Sequence, residues 1–131
     1  MNPNTGRYDS RVTYAKSLEP VHCDQALTTV FALLGKRWTG VILGSLMDRP
    51  ARFAEMASAI TGITDAMLST RLAELQEAGL VKREVLAGPP IASVYQLTDE
   101  GLALRPALTA LATWAEAHML GREVAGANLV P

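Results

Sequence analysis

One stretch, residues 51–97, constrains the fold more than any other, because it holds three patterns in succession. Residues 51–60 (ARFAEMASAI) present Phe53, Met56 and Ile60 at helical spacing, and Thr61-Gly62 breaks the segment. Thr64 caps a second helix, expected at about residues 65–78, with Asp65 in its first turn, where the helix dipole favours an acid. Leu68, Leu72 and Leu75 stack on one face of that helix, and Gly79 stops it. Residues 80–86 (LVKREVL) and 93–97 (SVYQL) read as two strands around the turn 87–92 (AGPPIA). Two helices joined by a short glycine-containing turn, the second followed by a hairpin, make the plan of a helix-turn-helix with a wing. The fold class expected is mainly α with a small β-hairpin.

The flanks fit that plan. Residues 24–47 read as one helix or two abutting ones, with Leu27, Val30, Phe31, Leu34, Trp38, Ile42 and Leu46 at three-four spacing. Asp24 is the N-cap candidate, while Gly35 and Gly40 weaken the interior. Thr98-Asp99-Glu100 starts a last helix that runs to about residue 119, and Pro106 kinks or restarts it. Leu104, Leu108, Leu111 and Ala115 share one face of it. The expected organisation is an arm over residues 1–20, a winged helix-turn-helix domain over 21–119, and a tail over 120–131.

Composition excludes more than it selects. A hydrophobic fraction of 49% can fill one core, so the chain is not globally disordered. The formal net charge of −1 gives no general attraction to nucleic acid, so DNA binding would depend on a local basic patch. No apolar run approaches the roughly 18 residues of a membrane span, and residues 1–20 lack the apolar core of a secretory signal. Cys23 is the sole cysteine, which rules out an internal disulfide framework. A cytoplasmic chain without membrane contact is expected.

Helix 65–78 carries the candidate DNA-reading surface. At about 100° per residue, Ala66, Thr70, Ala73 and Glu77 lie opposite the leucine stripe, with Ser69 on the flank. Ser69 and Thr70 have hydroxyls for phosphates or base edges, and Ala66 suits a thymine methyl. Arg71 sits near the edge of the stripe, placed equally to reach a phosphate, to pair with Glu74, or to lie over the core. Lys36, Arg37, Arg49 and Arg52 flank the earlier helices, and Lys82 and Arg83 stand at the base of the hairpin; each can hold a phosphate or be an ordinary solvated charge. The wing tip, Ala87-Gly88-Pro89-Pro90-Ile91, has no Lys or Arg. By pattern alone, an amphipathic helix in an ordinary all-α domain fits 65–78 equally well.

Residues 23–118 resemble the HxlR-type family of bacterial winged-helix regulators. The resemblance is carried by Cys23, Leu34-Gly35-Lys36-Arg37-Trp38-Thr39-Gly40, Leu46-Met47-Asp48-Arg49-Pro50 and Arg52-Phe53. It continues through Gly62-Ile63-Thr64, Met67-Leu68, Arg71-Leu72, Glu74-Leu75, Gly79-Leu80-Val81 and Arg83. It closes with Tyr95-Gln96-Leu97-Thr98-Asp99-Glu100-Gly101-Leu102, Leu104 and Trp114. The Gly-Lys-Arg-Trp segment is most similar to the quinone- and electrophile-sensing branch of the family. The resemblance implies a homodimeric transcription regulator, a repressor in that branch, on a pseudo-palindromic operator in double-stranded DNA. The site residues it implies are Thr64, Asp65, Ala66, Ser69, Thr70, Arg71, Lys36, Arg37, Arg52, Lys82 and Arg83 on the DNA, with terminal helices forming the dimer interface through Leu104, Leu108, Leu111, Trp114 and His118. Two departures stand out: many members carry a basic or amide residue where Asp65 and Ala66 stand, and a basic residue in the wing.

In that branch the N-terminal cysteine is the sensor, which makes Cys23 the candidate switch for an oxidant, quinone or other electrophile. A helix N-terminus favours the reactive thiolate, Asp24 opposes it, and an inert buried thiol is the competing reading. No cofactor is expected. No enzyme is expected either: His22 and His118 are the only histidines, no nucleophile–base pair is evident, and a zinc set needs more ligands than the chain offers. Two further readings stay open, a winged-helix module for protein interaction, and a regulator that binds a small aromatic ligand near Trp38 and Phe53.

Overall fold

The computed structural model describes residues 20–120. The expected arm and tail lie, apart from residues 20 and 120, outside the described residues. The elements are α1 (Gln25–Leu34), α2 (Thr39–Ser45), β1 (Ala51–Arg52), α3 (Phe53–Ala59), α4 (Asp65–Glu77), β2 (Val81–Leu86), β3 (Ala92–Leu97), α5 (Asp99–Leu102) and α6 (Arg105–His118). The winged helix-turn-helix plan is present, with one strand more than the hairpin expected.

The expected segment 24–47 is two helices meeting at 78°. Asp24 caps α1, its Oδ1 accepting from the N–H groups of Ala26 at 2.9 Å and Leu27 at 3.1 Å. The turn is made at Trp38, whose φ of 82° is left-handed. A non-glycine residue there costs about 1–2 kcal/mol. Burial of the indole offsets that cost, its edge lying against Gly62 at the turn before α4. The apolar stripe of α1 joins the core only at its C-terminal end, where Leu33 and Leu34 pack against it. No residue of α1 is fully buried, and Leu27 and Phe31 are 55% and 52% exposed.

The core sits between α2, α3, α4 and the sheet. Ile42, Leu43, Met56, Leu68, Leu72 and Leu75 are almost wholly buried, and Val81, Tyr95 and Leu97 close the cluster from the sheet. The three strands are antiparallel in the order β1-β3-β2. Ala51 pairs with Tyr95 and Arg52 with Val94, while β2 and β3 pair from Val81–Leu97 out to Leu86–Ala92.

Two corners decide where the functional elements point. After α4, Gly79 adopts φ 81°, with its N–H on Gln76 O and the Leu80 N–H on Leu75 O. This paired closure satisfies the last carbonyls of the helix and turns the chain directly into β2. At the next corner Thr98 caps α5, donates its hydroxyl to Gly79 O at 2.7 Å, and its N–H to Leu80 O at 3.0 Å. The last helix is restarted rather than kinked: α5 ends at Leu102 and α6 begins at Arg105 with Pro106 in its first turn. Among the described residues no single helix is long and apolar enough to cross a membrane.

Candidate nucleic-acid interface

Helix α4 is fixed at its start and along its back. Thr64 Oγ1 accepts the Met67 N–H at 3.1 Å, and Leu68, Leu72 and Leu75 are at most 1% exposed. The opposite side is small and open: Asp65, Ala66, Ser69, Thr70 and Ala73 are all exposed. Apart from Asp65 in the first turn, no side chain larger than Thr rises from that patch, so a base-pair edge can approach the helix closely.

Arg71 is not part of that patch. Its side chain is 16% exposed, its Nε donates to Arg37 O at 2.9 Å, and its Nη1 lies 3.2 Å from Glu74 Oε1. Lys36 Nζ approaches the other oxygen of the same carboxylate at 3.3 Å. One acid on α4 therefore gathers two cations, and Arg71 straps the α1–α2 corner to the back of α4. Of the three placements open to Arg71 in the sequence, pairing with Glu74 is the one adopted. The backbone acceptor, Arg37 O, carried no sequence signal, since it lies 34 residues away.

The remaining cations stand on other elements. Arg37 lies with its guanidinium 4.5 Å from the Trp38 ring centroid, a cation–π contact that leaves the residue exposed. Arg52 is exposed on β1, and its N–H donates to Glu55 Oε1 at 2.8 Å. Arg49 Nη2 pairs with Glu55 Oε2 at 3.1 Å. The hydrogen bond from Arg49 and then that from the Arg52 backbone hold the Glu55 carboxyl below its ordinary 4.5. Lys82 and Arg83 are exposed at the base of the wing, Arg83 Nε donating to Ser93 Oγ at 3.2 Å.

Two other groups lie away from α4. Cys23 is exposed immediately before the cap of α1, its Sγ 3.1 Å from Thr28 Oγ1. On the last helix, Leu104 and Leu108 pack against the core, whereas Leu111 and Trp114 are 52% and 54% exposed. The Trp114 and His118 rings lie 5.3 Å apart on that open face. The expected interface residues thus divide, two holding α6 to its own chain and three facing outward. Sequence reasoning overlooked that Leu27 and Phe31 of α1 are also open; periodicity marked the face as apolar without saying what covers it. Trp38 lines a shallow apolar depression of ≈ 460 Å³ with Val41, Gly44, Ser45, Ala59, Ile60 and Thr61. Phe53 is not in its wall and packs on Tyr95 instead, with ring centroids 6.4 Å apart. Among the described residues no group of His, Cys, Asp and Glu side chains is placed to hold a metal ion.

Comparison with known proteins agrees with this geometry. A family model described as HxlR-like helix-turn-helix matches residues 33–123. The HTH-type transcriptional regulator YodB of Bacillus subtilis (strain 168) is 41% identical over 90 residues, which cover 69% of this chain and 80% of YodB. The reduced form of YodB superposes with a TM-score of 0.66 at 36% identity, over 78% of this chain and all of that one. Its quinone-bound form gives 0.62 at 37% identity, over 72% and 99%. The redox regulator HypR in its oxidised form gives 0.68 at 30% identity, over 72% and 97%.

Proposed function

The chain belongs to the HxlR-like helix-turn-helix family of transcriptional regulators and is not an enzyme; from that premise we propose that it binds a pseudo-palindromic operator as a homodimeric repressor released through Cys23. The observation that carries the reading is α4: a capped, firmly seated helix whose outer face, Asp65, Ala66, Ser69 and Thr70, is small enough to enter a major groove. Thr64, Arg37, Arg52, Lys82 and Arg83 supply hydroxyl and cationic contacts to the flanking phosphates, which set register without reading sequence. Lys36 and Arg71 act from behind, holding α4 against the α1–α2 corner through Glu74.

The dimer forms where apolar side chains are left open on the terminal helices, at Leu27 and Phe31 of α1 and Leu111 and Trp114 of α6. Cys23 stands immediately before the cap of α1, exposed to oxidants and electrophiles. Oxidation or alkylation there changes the packing of α1 and so the spacing between the two reading helices.

Selection of duplexes from a random-sequence library by the full chain tests the first part. A pseudo-palindrome whose affinity falls steeply with salt is expected, and enrichment of no sequence refutes operator binding. Treating the bound complex with diamide or a quinone tests the second. Wild type should release DNA and Cys23→Ser should hold it; equal responses refute the thiol switch.

A further inference from the structure

Asp65 stands on the open face of α4 with its carboxylate uncommitted. Glu55 is paired with Arg49, Glu74 with Lys36 and Arg71, and the Asp24 carboxylate caps α1. Asp65 is exposed at the first position of α4, and among the described residues no hydrogen bond or ion pair engages it. The helix is capped by Thr64, so Asp65 is not needed to close it, although the helix dipole favours an acid there. Its neighbours on the open face are small: Ala66 follows it and Ser69 stands one turn on, both exposed. The helix itself therefore puts no bulky side chain between this carboxylate and a base-pair edge. Glu77, the other acid exposed on α4, lies at the far end, roughly 18 Å along the axis.

Resting on the operator reading, we infer that Asp65 selects cytosine at one position of each half-site. The N-terminal residues of a reading helix are the ones that reach base edges. An acid there enters a groove rimmed by phosphates and gives up water on the way. An ionised carboxylate only accepts hydrogen bonds, and leaving it dry without a donor is costly. The major groove offers base donors at two places, cytosine N4 and adenine N6. Adenine sets its N7 lone pair beside N6, which repels one of the two carboxylate oxygens. Cytosine presents its amine with no acceptor beside it on the same base. Guanine and thymine present only acceptors, so each leaves the acid unpaired against like partial charge. Asp65 therefore discriminates chiefly by exclusion: it adds little to affinity on the right sequence and penalises the wrong ones. Asp65 is one of the chain's departures from its family, so the base it selects is particular to this chain.

The test selects duplexes from a random-sequence library with the full chain, as wild type, Asp65→Ala and Asp65→Asn, and then measures single-base variants of the selected duplex by fluorescence anisotropy. Wild type should enrich a pseudo-palindrome with an obligatory cytosine in each half-site, and replacing that cytosine should weaken binding about tenfold per half-site. Asp65→Ala should keep the rest of the motif and accept all four bases at that position to within about twofold. Asp65→Asn should prefer adenine there, because an amide pairs with N6 and N7 together. The amide keeps the shape of the side chain, so this switch is readable even where Asp65→Ala melts early. A role confined to the helix dipole would shift the thermal melt of Asp65→Ala and leave base preference as in wild type, and that result would overturn the inference alone. So would a wild-type motif with no required cytosine. Failure of wild type to enrich any duplex would overturn the operator reading and the cytosine preference with it.

Discussion

Replacing Gly101 with Ala should destabilise the winged unit more than its single methyl group suggests. Gly101 is buried in α5, and a Cβ placed on it overlaps the Leu80 carbonyl oxygen. The same Cβ lies 3.2 Å from Leu80 C and from Leu97 Cδ2. Leu80 cannot retreat, because its N–H is held by Leu75 O at 3.0 Å and its carbonyl by the Thr98 N–H at 3.0 Å. Helix α5 must therefore back away from the α4–β2 corner. Overpacking of this kind costs about 1–3 kcal/mol, and weakening the Thr98–Leu80 bond adds about 1 kcal/mol. For a domain of this size each kcal/mol moves Tm by about 4–8 °C, so Gly101→Ala should lower it by at least about 8 °C. Gly40→Ala is the matched control: it lies inside α2, its added methyl group would meet no atom within 4 Å, and its φ is not left-handed. That change should stabilise by about 0.5–1 kcal/mol. Thermal melts followed by circular dichroism at one protomer concentration read both. A Gly101→Ala melt within about 1 °C of wild type would refute the close approach of α5 to Leu80.

Thr64→Ala removes the acceptor for the Met67 N–H and should cost about 1 kcal/mol in urea unfolding, with Thr64→Ser restoring most of it. Leu111→Asp combined with Phe31→Asp should convert dimers to monomers in sedimentation equilibrium and abolish cooperative operator binding; dimers that persist would place the interface elsewhere. The Arg49–Glu55 pair contributes stability above pH 4.5, lost as pH falls through the lowered folded-state value of Glu55. The Tm gap between wild type and Glu55→Gln should therefore shrink as pH drops through that window and shrink further in salt, and a gap constant with pH would contradict it.

What could be read from the sequence was local. The caps at Asp24, Thr64 and Thr98 each depend on one side chain and the next few N–H groups, and all three formed as expected. The breaks at Gly62 and Gly79 depend on a single left-handed φ. What stayed hidden depends on partners distant in the chain. Strand β1 is two residues long and exists only because Ala51 and Arg52 meet Tyr95 and Val94. In the sequence Gly35 and Gly40 marked only a weakened helix interior, yet the left-handed residue at the turn between α1 and α2 is Trp38, held there by burial beside Gly62. Arg71 could be placed near the stripe edge by helical geometry, but its Arg37 carbonyl partner required the tertiary fold. For the open face of α4, the sequence sufficed to name Ala66, Ser69 and Thr70, because their exposure follows from the leucines opposite them.

Helix α1 is ten residues long and fully buries none of them. Isolated helices shorter than about 12–15 residues are marginal in water, so its caps alone do not keep it formed. Within the chain it is held by Leu33 and Leu34, which pack against the core, while Leu27 and Phe31 are left open. If the proposed dimer covers those two side chains, helicity in this segment and self-association are coupled, and dilution should loosen the start of α1 while the rest of the domain stays folded. The regulator would be sensitive to its own abundance through a single helix, and Cys23, immediately before the cap of that helix and beside Thr28, sits where a chemical change would shift the same balance.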